Sequence, residues 1–215
     1  MALGFFKHTY NKEKVTFYTA KPEELLADVI THAFGFLLSF IGFCYLVYNA
    51  VLTRDIAMIL SFGTYGISLL SAYMASTLYH LYLYFHPNPQ KSFRRILLIL
   101  DHSAIFFLIS GTYTPIIISL MDNITGWIMF FLLWLTTFLG IAYKIFFVGR
   151  YQVFSLILYA IMGWILVFNV KFVFLVFPIE LILCLLAGGM MYTFGIYFLR
   201  KKKLKYHHAI WHVFV

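Results

Sequence analysis

Apolar stretches close to 20 residues long follow one another along this chain, separated by polar breaks at TRD (53–55), HPNPQKSFRR (86–95), MDN (121–123), GR (149–150) and a turn before Pro178. Stretches of that length can cross the ~30 Å of bilayer hydrocarbon as helices. The pattern predicts helices over 26–52, 56–86, 96–120, 124–147, 152–170, 179–199 and from 206 to the end. The expected fold is therefore an all-α integral membrane protein: one seven-helix transmembrane domain over 25–215, behind an N-terminal segment of residues 1–24. The first stretch is too long for a signal-peptide core and lacks an A-x-A cleavage pattern, so it is expected to stay as a helix.

Composition agrees with the pattern. Hydrophobic residues make up 63% of the chain and charged ones 11%, far from the averages of soluble domains. Charge adds orientation. Of the 16 Lys and Arg, only Arg54 and Lys171 fall on one side; Lys7, Lys12, Lys14, Lys21, Lys91, Arg94, Arg95, Lys144, Arg150, Arg200, Lys201, Lys202, Lys203 and Lys205 fall on the other. This bias places the N-terminus in the cytoplasm and, with seven helices, the C-terminus outside. The net charge of +8 is accounted for by anionic inner-leaflet lipid, so the expected partners are membrane lipids and no nucleic acid. Cys44 and Cys184 lie inside apolar runs and read as small core residues.

Ionisable groups inside a bilayer are costly unless paired, wet or metal-bound. Here they gather at one depth. At 1.5 Å per residue, His208 and His212 lie about 3 to 10 Å inside the seventh helix, while His80 and Asp101 each lie about 9 Å inside the second and third. His208 and His212 are i and i+4, so one helical face carries both imidazoles. With His80 they would make a three-histidine set open at the fourth position, the arrangement of catalytic zinc. Ser76 lies one turn from His80 on the same face, and Asp101 is placed to orient a ligand or accept a proton. Blander readings stand beside these: His80 as an interfacial histidine, Asp101 paired with Arg94 or Arg95, and His102, His86, His8 and His207 at or near the interface. Glu24, Asp28 and His32 share a face of the first helix, either as an acidic first turn suited to the helix dipole or as support around the metal. Gly111 and Pro115 (GTYTP) suggest a kink, with Tyr113 a hydrogen bonder to a neighbouring helix and a further candidate support residue. Gly188 and Gly189 suggest close helix contact.

These residues assemble into a resemblance. EELLADVITHAFG (23–35), STLYH (76–80), LDHSAIFFLISGTYTP (100–115), LAGGMMYTFGIYF (186–198) and HAIWH (208–212) resemble, in order, the hemolysin III family. That family is the small bacterial branch of the progestin and adipoQ receptor superfamily, which includes the adiponectin receptors. The resemblance implies seven helices with the N-terminus inside a bacterial plasma membrane, and zinc held by His80, His208 and His212. It also implies that Asp101 and Ser76 lie beside the metal-bound water. In receptor members, and in a wider superfamily that includes alkaline ceramidases, the site looks like that of a lipid amide hydrolase. Family members carry about another helix's worth of residues after the second histidine of HAIWH, so the seventh helix is expected to be short or truncated here.

The leading expectation is a zinc-dependent hydrolase of an inner-leaflet lipid amide or ester, with Asp101 and Ser76 catalytic. The alternative is a non-enzymatic, zinc-stabilised sensor of membrane state. A pore-forming cytolysin, suggested by the family name, ranks below both, because no helix carries a polar face along its full length.

Overall fold

The computed structural model describes residues 18–215, and every regular element among them is helical. Most of the expected N-terminal segment, with His8, Lys7, Lys12 and Lys14, lies outside the described residues. The helices are α1 (Pro22–Leu52), α2 (Ile56–Phe85), α3 (Lys91–Leu120), α4 (Ile124–Phe147), α5 (Gln152–Gly163), α6 (Val170–Val176), α7 (Ile179–Arg200) and α8 (His207–Phe214), with a 3₁₀ turn at Ile165–Asn169 between α5 and α6. Taking Gln152–Val176 as one span, six helices are long and apolar enough to cross a membrane. The chain is a multi-pass membrane protein. Its surface fits that solvent: Phe34, Ile41, Phe131, Phe138 and Leu183 are all exposed, as are Cys44 and Cys184, which were expected in the core. In a bilayer an apolar helix can turn its apolar residues outward, so hydrophobicity alone does not mark the buried face.

Two helices start earlier than hydropathy predicts. α1 begins at Pro22, and the Glu24 carboxylate accepts the Lys21 backbone N–H, closing the first turn. α3 begins at Lys91 rather than 96, with the Gln90 N–H donating to the Tyr82 hydroxyl. Hydropathy finds where hydrocarbon begins, whereas a helix continues into the polar headgroup layer. The fifth helix is the opposite case. Predicted as one run over 152–170, it breaks after Gly163, whose carbonyl accepts the Tyr113 hydroxyl. Trp164 turns aside to donate its indole N–H to Thr193 on α7.

The core runs along α3. Phe106 and Ile117 are sealed against Met129 and Leu133 of α4 and Tyr159 of α5. Thr137 donates to the Phe106 carbonyl and so receives the Ser110 hydroxyl at 2.6 Å, a polar clasp between α3 and α4. α3 continues as one helix through Pro115. Glycines admit the closest approaches: a Cβ on Gly111 would meet Ser68 of α2, and one on Gly189 would meet the Trp164 ring. Gly188 faces nothing within 4 Å, so only its neighbour makes the expected close contact.

α8 has eight residues, about 12 Å of helix, less than half of what a span needs. Its placement rests on neighbours. The Tyr206 backbone N–H donates to the Glu24 carboxylate at 3.2 Å, tying its start to the start of α1. A Cβ on Gly195 of α7 would lie 2.8 Å from the Cβ of Phe214 and from the Trp211 ring. Gly195→Val is therefore expected to push α8 off α7 and, without touching any histidine, to weaken metal binding about tenfold or more. Metal affinity of the purified variant checks this.

Candidate metal centre

α1, α2, α3 and α8 meet at the end of the bundle where α1 and α3 begin and α2 ends. There α2 delivers His80 and α8 delivers His208 and His212, and their ligand nitrogens all lie within 4.8 Å of one another. Ring centroids are 5.0 Å apart for His80 with either partner and 4.5 Å for His208 with His212. A single helical turn brings the two α8 imidazoles together, and the α2–α8 contact adds the third.

The surrounding atoms decide how these rings face. Asp28 of α1 is fully buried, with Oδ2 at 3.4 Å from Nδ1 of His80 and Oδ1 at 3.9 Å from Nδ1 of His212. The Thr31 hydroxyl donates to the Ala27 or Asp28 carbonyl, both at 2.9 Å, so its oxygen faces Nδ1 of His212, 3.2 Å away, as an acceptor. A hydroxyl has one proton, and its direction assigns the imidazole proton of His212 to Nδ1 and frees Nε2. His80 meets Asp28 through Nδ1 in the same way.

Zinc fits this set. Both ring nitrogens of His80 and both carboxylate oxygens of Asp28 are buried with no hydrogen-bond partner among the described residues. Buried polar atoms are rarely left so. A metal taking Nε2 of the histidines would satisfy one group, and the carboxylate would then receive the Nδ1 protons of two ligands, the usual outer partner of a zinc-bound histidine. Asp28→Asn keeps the shape and removes the charge that steadies both rings. It is expected to weaken zinc 10- to 100-fold while leaving the fold in place, as a competition titration with a chromogenic chelator would show.

His32 stands against the cluster, its ring centroid 3.8 Å from that of His212. Glu24, Asp28 and His32 thus all belong to the site: the first holds α8, the second faces two ligands and the third packs on one. Tyr18 lies over His208 with ring centroids 4.4 Å apart. Tyr113 is not brought here. It sits in the core beside Gly163 and lines a separate small cavity between α5 and α7.

A cavity of about 470 Å³ opens from the cluster. His32, His208 and His212 line it, together with Ser76, Asp101 and His102, while His80 is sealed behind. The Asp101 carboxylate faces the Ser76 hydroxyl and the Lys144 ammonium. Neither arginine considered as its partner takes that role in the geometry: Arg94 donates to the Tyr18 carbonyl and Arg95 to the Ile145 carbonyl at 2.8 Å. His102 is in the cavity wall rather than at the interface, with Nδ1 3.0 Å from the Leu98 carbonyl. His207, expected at the interface, lines the same cavity. His86 caps the end of α2.

Thr31 and Lys144 are the residues that sequence reasoning passed over. Thr31 precedes His32 in VITHAFG and has no charge to draw notice. Lys144 was counted among the basic loop residues, yet it is 2% exposed and opens into the cavity. Its signal was its place in an apolar run, IAYKIFF, with three helical residues still to follow.

A membrane bundle with a buried three-histidine cluster beside a carboxylate and a serine is the class these coordinates define. Comparison with known proteins then gives the family: the model for haemolysin-III related proteins matches residues 20–215. A protein named Hemolysin-3 from Bacillus cereus is 37% identical over 203 residues, covering 94% of this chain and 90% of its own. A Hemolysin-3 homolog from Bacillus subtilis (strain 168) is 37% identical over 198 residues, covering 92% and 89%. No solved structure matches. The chain belongs to the haemolysin-III related family.

Proposed function

We propose that this protein is a zinc-dependent hydrolase of a lipid amide or ester, with its site at the inner leaflet of a bacterial plasma membrane. The carrying observation is that His208 and His212, two members of the metal-binding triad, line one cavity with Asp101 and Ser76. The orientation rests on the bias of Lys and Arg: the cluster lies at the end that collects Lys91, Arg94, Arg95 and Arg200 to Lys203, which makes that end cytoplasmic. The short α8 stands where a seventh span begins.

His80, His208 and His212 would hold the zinc, with Asp28 and Thr31 fixing two of the rings. Bound zinc supplies a Lewis acid for the scissile carbonyl and acidifies water toward a pKa of ~7. Asp101 takes the proton of the attacking water as oxygen bonds to the carbonyl carbon. When the carbon–nitrogen or carbon–oxygen bond breaks, it returns that proton to the leaving amine or alcohol. Ser76 holds the carboxylate in place and has a hydroxyl to offer the carbonyl oxygen. The apolar wall of Ile105, Leu108, Ile109 and Leu156 suits an acyl chain.

The test is turnover of a panel of ceramides, other lipid amides and lipid esters by purified protein. Hydrolysis abolished by chelation and restored by zinc supports the reading; inactivity across the whole panel in zinc-loaded protein overturns it. One observation favours a second reading, in which the zinc is structural and the protein senses membrane state. Nδ1 of His32 is buried and unpartnered beside His212, a candidate fourth ligand that would close the site. Loss of zinc from His32→Ala as complete as from His80→Ala would favour it.

A further inference from the structure

The hydrolase reading uses one pole of the cavity and leaves the other without a task. That second pole is built by Lys144 of α4, Gln152 and Ser155 of α5, and Arg200 and Lys202 at the end of α7. Arg200, Lys202 and Gln152 are exposed as well as lining the cavity, so they form its rim, while Lys144 sits within. The rim lies between the start of α5 and the end of α7, at the level where basic residues collect. A lipid could approach there from the side.

Lys144 is the informative residue. Its side chain is buried, and among the described residues its ammonium makes no hydrogen bond and no ion pair within 4.0 Å. The rings of Tyr143 and Tyr159 lie 6.0 Å away, and Asp101, engaged by Ser76, is the carboxylate whose charge it feels. A buried ammonium with three protons to donate and no close counterion is costly. It is worth keeping where a ligand supplies the missing anion.

We propose that Lys144 is the inner anchor of a phosphate-binding subsite, with Arg200 and Lys202 drawing the phosphate in at the rim. Resting on the hydrolase reading, this names the substrate class: a lipid amide or ester with a phosphate-bearing, net anionic headgroup. Three cations around one opening match a phosphate, whose oxygens can be shared among several donors. A carboxylate would add a second such group beside Asp101, and a neutral headgroup would leave Lys144 unanswered.

The test is equilibrium binding of dodecyl phosphate, dodecyl phosphocholine and dodecanoate to the full chain in maltoside micelles, with and without chelator. Because it reads binding, it stands whether or not turnover is found. Dodecyl phosphate is expected to bind at least ~10-fold more tightly than the other two, the scale of a lost charge-assisted hydrogen bond. Lys144→Gln should erase that preference and Lys144→Arg should keep it, with dodecyl phosphocholine unchanged in both. Equal binding of all three probes by the wild type overturns the proposal, and so does tighter binding of dodecanoate. Equal weakening of every probe in Lys144→Gln also overturns it, since Lys144 would then serve only the fold. If Lys144→Gln cannot be recovered folded, the wild-type preference and its weakening in the rim variant Arg200→Gln/Lys202→Gln decide the matter.

Discussion

Asp101→Asn is expected to lower lipid hydrolysis by 10² to 10⁴, the usual contribution of a positioned general acid–base, while the zinc stays bound. The amide keeps the shape of the carboxylate and can still meet Ser76, so the loss isolates the proton acceptor. The substitution has a structural cost as well, because Lys144 faces Asp101 from α4 and would be left with no compensating charge. A second variant separates the two effects. Asp101→Asn/Lys144→Gln should recover thermal stability lost in the single variant and recover none of the turnover. Parallel measurement of initial rate, zinc content and melting temperature in detergent checks each part, and restored turnover in the double variant would remove Asp101 from the chemistry.

Removal of the metal is expected to have the largest effect on the fold. α8 is too short to hold its place by burial alone; it is tied by Gly195 packing, by Glu24 and by the histidines that face α1 and α2. Zinc binding the folded chain alone contributes about 4 kcal/mol when free zinc is 1,000 times its dissociation constant. Chelation should therefore lower the melting temperature of the wild type by several degrees. His80→Ala should start at the lower value and show no response to chelator. A wild type that melts at the same temperature with and without chelator would contradict a metal clasp between α2 and α8.

Much of the site was legible in the chain, because membrane helices turn sequence position into depth. His80, Asp101, His208 and His212 were placed near one level by their distance from the polar breaks. Glu24, Asp28 and His32 were placed on one face by their spacing. What spacing could not say is which atoms face which. That Asp28 looks at two histidines, and that Thr31 accepts from a third nitrogen on the same side, depends on how α1 rotates against α2 and α8. Lys144 escaped for a physical reason too: a lysine near a helix end usually snorkels to the interface, and only the tertiary cavity shows this one turned inward. The break at Gly163 was equally hidden, since the cause is the Tyr113 hydroxyl on another helix. The same bond explains why Tyr113 stands apart from the metal centre.

The claim on which the rest depends is that His80, His208 and His212 hold one zinc ion. Its most direct measurement is elemental analysis of detergent-purified protein, wild type beside His212→Ala. The account predicts about one zinc per wild-type chain and nearly none in the variant; a wild type free of stoichiometric metal, or a variant that keeps it, would contradict that claim.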